Sequence, residues 1–390
     1  MSLTARIWVV AAAALLAGCA AAPVERSSLG SERITASLLL HASPLAAGAA
    51  LPQVTREDLL TVTPEMSVFL DAYTNPKQKQ GFRLKRLLYA IMGEGTFELI
   101  YDDVTRTAAE TFRDQRGNCL SFTNMFVAMA RHVGLDASYQ EVEVPAEWSL
   151  SGEAFLLSQH VNVFLQLSHD ETRIVDFNIL DFNTAYGRRV IADERARAHY
   201  YNNIGVEHML NGDALMALAN FRAGVREDPT FAPAWTNLGI LHRREGYPAH
   251  AEAAYLQALE EDRFNLVALS NLGSLYEHEG MEQRAAEYRA RVATHRNRNP
   301  YFRFYTASEA FVSGDYQVAI GHLKYAIRKR DDEPRFYSLL SLSYLMSGDQ
   351  AAARRWMEKA EAVAGQSADP AADPQRYHHK LEWLMSQGSR

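Results

Sequence analysis

Cysteine is nearly missing from this 390-residue chain, which has two: Cys19 and Cys119. Two thiols exclude the disulfide framework that staples small secreted domains, and the thirteen histidines have no cysteine partners for a zinc cluster. An excess of one charge is also lacking. A net charge of −7 and a pI of about 6.0 give nucleic-acid phosphates no electrostatic footprint to meet. The one long apolar run, Ile7 to Leu16, is too short for a membrane span. A phosphate-cradling loop is missing as well, because "MGEGTFE" around Gly93 has neither the lysine nor the strand–helix setting. What remains is ordinary globular composition, 47% hydrophobic and 22% charged, in a chain long enough for two or three domains. No cofactor or metal is implied.

Arg6, the apolar run and the small residues after it read as a secretory signal. Leu16-Ala17-Gly18-Cys19 resembles the bacterial lipobox. The resemblance implies cleavage after residue 18, lipid on Cys19, and a lipoprotein facing the periplasm. Ala20, in place of the aspartate that retains such proteins in the inner membrane, implies the outer membrane. Cys119 then has no disulfide partner in its own chain. A lone thiol in an oxidising compartment is either deeply buried or chemically employed. Residues 19–54, with "AAAPVERSSLGSER" and "HASPLAAGAALPQ", read as a tether of at most ~120 Å, with a short helix at "ITASLLLH".

From residue 198 to 365 the pattern is periodic. Gly212, Gly246, Gly280, Gly314 and Gly348 recur every 34 residues, and Ala217, Ala251, Ala285, Ala319 and Ala353 keep the same register. Gly205, Gly239 and Gly273 recur upstream, and Phe221, Tyr255 and Leu323 hold a large-residue position. This pattern resembles the tetratricopeptide repeat, in five units. Three positions depart from it: Arg289 stands where a large apolar residue is usual, and Ala307 and Ser341 replace the early glycine. "PQRYHHKLEWLMSQ", 374–387, reads as a helix capping the last unit. Such a solenoid presents a surface to a protein or peptide, or else packs on its neighbour domain.

Residues 55–190 mix periods. "RLKRLLYAIM", "DDVTRTAAETFRD" and "NCLSFTNMFVAMARHVG" read as helices; "SYQEVEV", "HVNVFLQL" and "RIVDFNI" alternate like strands. Helices before strands indicate an α+β domain. Asn118 is a good N-cap, which places Cys119 in the first helical turn, where free N–H groups and the helix dipole favour thiolate. Apolar burial alone would act in the opposite direction. A thiolate nucleophile needs a base, and the base an orienting group. His160 opens one strand and Asp176 lies sixteen residues on, so adjacent strands bring the two side by side if the register allows.

"GNCLSFTNMFVAMARHVGLDA", a strand beginning with His and a strand bearing Asp resemble the transglutaminase-like core of the papain-like cysteine enzymes. The resemblance implies Cys119 as nucleophile, His160 as general base and acid, and Asp176 as orienter of the imidazole. It also implies a cysteine peptidase, amidase or transglutaminase-type acyltransferase acting on a protein or peptide, with bacterial relatives of the fold often proteolytic. The Val161-Asn162 pair after His160 departs from the frequent small-residue-Trp pair. Gln115, Asn118, Trp148 and Asn162 are the residues placed to contact substrate or oxyanion, and the segment bearing Trp148 reads as a lid, a rim or simple packing. The rival expectation is a non-catalytic envelope scaffold whose repeats bind a protein.

Overall fold

The computed structural model describes residues 29, 34–48, 50–92, 97–142, 149–151, 154–156, 160–177 and 188–367. Cys19, Trp148 and the expected capping helix 374–387 lie outside the described residues.

In the α+β part, α2 (Pro64–Tyr73) and α3 (Gln80–Met92) follow a short N-terminal helix, α1 (Ala36–His41). Strands β1 (Ile100–Tyr101) and β2 (Arg116–Gly117) then pair in parallel around α4 (Ala108–Asp114). The helix expected over 102–114 begins only at Ala108. Thr107 and Glu110 form a capping box there, while Asp102 upstream accepts from Arg106 and from the Val104 N–H. Helix α5 (Cys119–His132) follows β2 directly and runs through the core, with Leu120 to Ala130 all buried.

Among the described residues four strands form an antiparallel sheet over α5: β3 (Asp136–Val142), β6 (His160–Ser168), β7 (Glu171–Val175) and β8 (Arg188–Ile191), ordered β7-β6-β3-β8. A separate hairpin joins β4 (Ser149–Ser151) and β5 (Ala154–Leu156). The register pairs Val163 with Val175, which sets Asp176 beside Asn162 and near the start of β6. Strand β6 is buried on both faces, so Asn162 is fully buried along with Val161 and Val163.

Among the described residues ten helices follow as five pairs: α6 (Asp193–Leu210) with α7 (Ala214–Glu227), α8 (Ala232–Arg244) with α9 (Pro248–Glu261), and α10 (Leu266–His278) with α11 (Glu282–Arg298). The last two pairs are α12 (Pro300–Val312) with α13 (Tyr316–Lys329) and α14 (Pro334–Met346) with α15 (Gln350–Ser367). The five periodic glycines sit between paired helices with φ of 71° to 93°, the left-handed region that a side chain disfavours. The upstream glycines answer to contact. A Cβ at Gly239 would lie 2.5 Å from the buried Tyr255 ring, and one at Gly205 2.6 Å from Phe221. At Gly273, where Arg289 replaces the aromatic, the nearest atom would be 3.6 Å away. Ser341, in the same place in the fifth unit, donates to the Ala353 carbonyl at 2.7 Å.

Helix α6 belongs to both halves. Ala196, Tyr200 and Tyr201 pack in the same apolar cluster as α5 and the sheet. Glu141 of β3 is held by Arg189 and Arg195 at 2.6 Å and by His199 at 2.7 Å. Burial alone would raise its pKa, but these partners hold the carboxyl well below the usual carboxylate range. The expected tether is docked over its described part. Leu39 is fully buried in the solenoid's apolar cluster, α1 packs on α9, and the turn Pro44–Ala46 lies on α7. Ser43 Oγ meets His242 Nε2 at 3.0 Å, and the Leu29 N–H donates to Glu252 at 3.0 Å. The run of leucines supplies apolar surface that leaves water on docking, and a free tether has no such gain.

Two neighbouring glycines should therefore respond in opposite ways. Gly239→Ala forces the Tyr255 ring aside and should cost about 1–3 kcal/mol despite a better helix former. Gly273→Ala should be neutral or stabilise by up to about 1 kcal/mol. Urea unfolding of the two variants checks this.

Candidate active site

The thiol of Cys119 stands at the first position of α5, half-buried. Asn118 fixes the helix start: its Oδ1 accepts from the Ser121 N–H and hydroxyl, each at 3.0 Å. Its Nδ2 donates to Thr105 Oγ1 at 2.7 Å. Thr105 in turn gives its N–H to Glu207 of α6 at 2.9 Å, and its hydroxyl bonds the same carboxylate. Burial pushes the Glu207 pKa up, partly offset by those Thr105 bonds. A chain of hydrogen bonds thus runs from the first repeat to the cap of the cysteine helix. Gly117 lets this turn close, since a Cβ there would lie 2.4 Å from Ser121 Cβ.

His160 and Asp176 meet at the ends of β6 and β7. The imidazole Nε2 lies 2.7 and 2.8 Å from the two carboxylate oxygens, with the side chains 10% and 6% exposed. Asn162 Nδ2 donates to Asp176 Oδ2 at 2.7 Å. Cys119 hydrogen-bonds the imidazole as well. Because Nε2 is occupied by the carboxylate, Nδ1 is the nitrogen left for sulfur. Burial would lower the His160 pKa, but the hydrogen bonds and charges of Asp176 and Cys119 outweigh it and push it up to about 9. Two contacts brace the arrangement. Thr123 of α5 donates to the Val161 carbonyl at 3.1 Å, and the Phe177 ring packs on Phe122 and Phe126, with centroids 5.7 and 5.9 Å away.

The transglutaminase-like superfamily matches residues 69–168, a span that includes Cys119 and His160 and ends before Asp176. The tetratricopeptide repeat family matches residues 232–265, the second helix pair and the turn after it. The chain carries a transglutaminase-like domain followed by tetratricopeptide repeats. No curated protein matches it. Among solved structures it is similar to "MamA protein" (20% identity, 45% of this chain and 95% of that one, TM-score 0.24). It is also similar to "YrrB: a TPR protein with an unusual peptide-binding site" (16% identity, 47% and 92%, TM-score 0.24). A third is the "APC/C hetero-tetramer Cut9-Hcn1" (20% identity, 43% and 34%, TM-score 0.25).

Within the transglutaminase-like domain, the residues expected to touch substrate or oxyanion separate. Asn118 has its side-chain amide committed to the cap and to Thr105. Asn162 is 0% exposed and faces the Asp176 carboxylate, so it positions that group and does not reach substrate. Gln115 ends α4 in the left-handed region (φ 54°) with an exposed side chain, and its carbonyl accepts from the Ile100 N–H. Trp148 lies outside the described residues. Tyr101 was not apparent from the sequence. Its hydroxyl hydrogen-bonds Cys119, and its pKa is pushed up to about 12 by desolvation and then by the charges of Cys119 and Asp103. The two-residue pairing of β1 with β2 and a ring contact with Phe122 of α5 bring it there, and so short a strand leaves no periodic signal.

Thr105→Val keeps the side-chain volume and the N–H bond to Glu207 but cuts the link to Asn118. Iodoacetamide labelling of Cys119 should slow several-fold, while stability falls by about 1 kcal/mol. Thr105→Ser should retain the parental rate, as followed by mass spectrometry.

Proposed function

We propose that this protein is a lipid-anchored cysteine enzyme of the bacterial envelope, acting on amide bonds through Cys119, His160 and Asp176. The observation that carries the reading is His160, held by Asp176 on one side and hydrogen-bonded to Cys119 on the other. An imidazole with a pKa of about 9 holds its proton at neutral pH, ready for the departing amine.

In the proposed reaction the Cys119 sulfur, as thiolate, attacks the substrate carbonyl carbon and the carbonyl electron pair moves onto oxygen. In this reading the Cys119 backbone N–H, at a first helical position without an intrahelical acceptor, and the Tyr101 hydroxyl beside the thiol donate to that oxyanion. On collapse the C–N bond breaks and His160 protonates the amine, leaving a thioester on Cys119. His160, now neutral, takes a proton from water or from an acceptor amine, which attacks the thioester and releases the thiolate. Water makes the enzyme a peptidase or amidase; an amine makes it a transglutaminase. The repeats recruit the protein substrate or a partner, and lipid on Cys19 holds the protein at the membrane, by lipobox resemblance at the outer one.

Iodoacetamide should label Cys119 faster at neutral pH than the same thiol in a denatured control, and His160→Ala should abolish the difference. Labelling no faster than the control would remove the catalytic reading and leave a scaffold. Peptides incubated with a tagged primary amine separate the outcomes, because incorporated tag marks transfer and new N-termini mark cleavage.

The raised His160 pKa also has a consequence for stability. Its contribution is fully present below about pH 6.5 and disappears as pH rises through about 9. The stability gap between the parent and His160→Gln should therefore narrow between pH 7 and pH 10 in denaturant titrations.

A further inference from the structure

Between Glu282 and Arg330 there are ten Lys and Arg residues against four Asp and Glu, a local charge of +6 in a chain whose net charge is −7. Part of this excess is concentrated on the fourth repeat. The Arg303, Arg328 and Lys329 cationic groups lie 4.9, 5.7 and 5.9 Å from the centroid of the Tyr325 ring. Lys324 Nζ lies 5.3 Å from the Tyr344 ring. Among the described residues none of these four cations has a carboxylate within ion-pair distance, whereas neighbouring Arg330 and Arg335 pair with Asp332 and Glu333. Lys324, Arg328 and Lys329 are exposed on α13. The aromatic faces offset a little of their mutual repulsion, and an anionic surface would offset far more.

The path of the N-terminal segment says which anionic surface is in reach. That segment lies on α7 and α9, the second helices of the first two repeats, and its first described contact is Leu29 on Glu252 of α9. Residues 20–28 alone separate Cys19 from that contact, a reach of about 30 Å, and not the ~120 Å of a free tether. Helix α13 is the second helix two repeats further on, in the same position of its pair as α7 and α9. Lipid on Cys19 would therefore bring a membrane surface within range of the unpaired cations.

We propose that the exposed face of α13, centred on Lys324, Arg328 and Lys329, docks on anionic phospholipid headgroups. The membrane's nearness rests on the anchoring of Cys19; the charge of the face does not. Docking would lay the solenoid along the bilayer and hold the thiol domain close to it.

The test is partition of the full chain, as isolated from the envelope, between buffer and two kinds of vesicle: phosphatidylcholine alone, and phosphatidylcholine mixed with phosphatidylglycerol. The expected result is binding to both through the lipid, with a further gain of about a hundredfold on the mixed vesicles, the scale for three surface cations. Added salt should remove the gain. K324Q/R328Q/K329Q should lose it while keeping the parental circular dichroism and the neutral-vesicle binding. A single-site control, Glu261→Gln on α9, should keep it. Equal binding to both vesicles, or a gain that survives the triple substitution, overturns the proposal. So does capture of the face by an acidic peptide with no preference for anionic vesicles, which would mark a protein ligand. Lack of binding to neutral vesicles, with no lipid mass on Cys19, would instead defeat the anchor while leaving the gain on anionic vesicles measurable.

Discussion

The burial of α5 is the constraint on which the site depends. Eleven successive residues, Leu120 to Ala130, are out of water, so the helix has no solvent face along that stretch and can neither rotate nor slide without opening the core. Its polar side chains are used to fix it. Ser121 accepts from the Arg106 N–H, Thr123 donates to the Val161 carbonyl, and Asn124 bridges the Arg106 carbonyl and the Tyr139 hydroxyl. Each bond is worth little net, but leaving any of these buried groups unpaired would cost more. Cys119 is the first residue of this fixed rod, and the thiol inherits its position.

The second half of the site comes to that rod through the sheet. Strand β6 is tied to α5 at Val161, one residue beyond His160, and the Phe177 ring packs on the same helix one residue beyond Asp176. His160 and Asp176 are thus each anchored by an immediate neighbour in the chain. Such short lever arms leave the hydrogen-bonded geometry little freedom to drift.

The repeats are part of this arrangement. Helix α6 contributes apolar residues to the core of the thiol domain, and its Glu207 reaches through Thr105 to the Asn118 cap. Glu141 holds the sheet to the same helix through Arg195 and His199. The N-terminal segment closes over the second helices of the first two repeats. A protein bound to the solenoid would therefore act on a body continuous with the support of Cys119.

Much of the fold was legible along the chain. The repeats could be read because a left-handed turn between paired helices needs glycine once per unit, and a 34-residue period leaves that need in plain view. Cys119 could be read as a helix start because an asparagine cap acts on its nearest neighbours, and His160 as a strand residue because alternation is local; Asp176, read on the next strand, stands one residue past the end of β7. What the sequence could not contain was everything set by register and by distant contact. The pairing that brings Asp176 to His160, the two-residue strand that brings Tyr101 to the thiol, the burial of Asn162 and the docking of residues 34–48 all depend on which surfaces meet. Propensity and periodicity act over a few residues, whereas these contacts span up to 223 and are selected by the packing of the whole body. The sequence by itself determined the elements and the residue types; tertiary structure decided which of them touch.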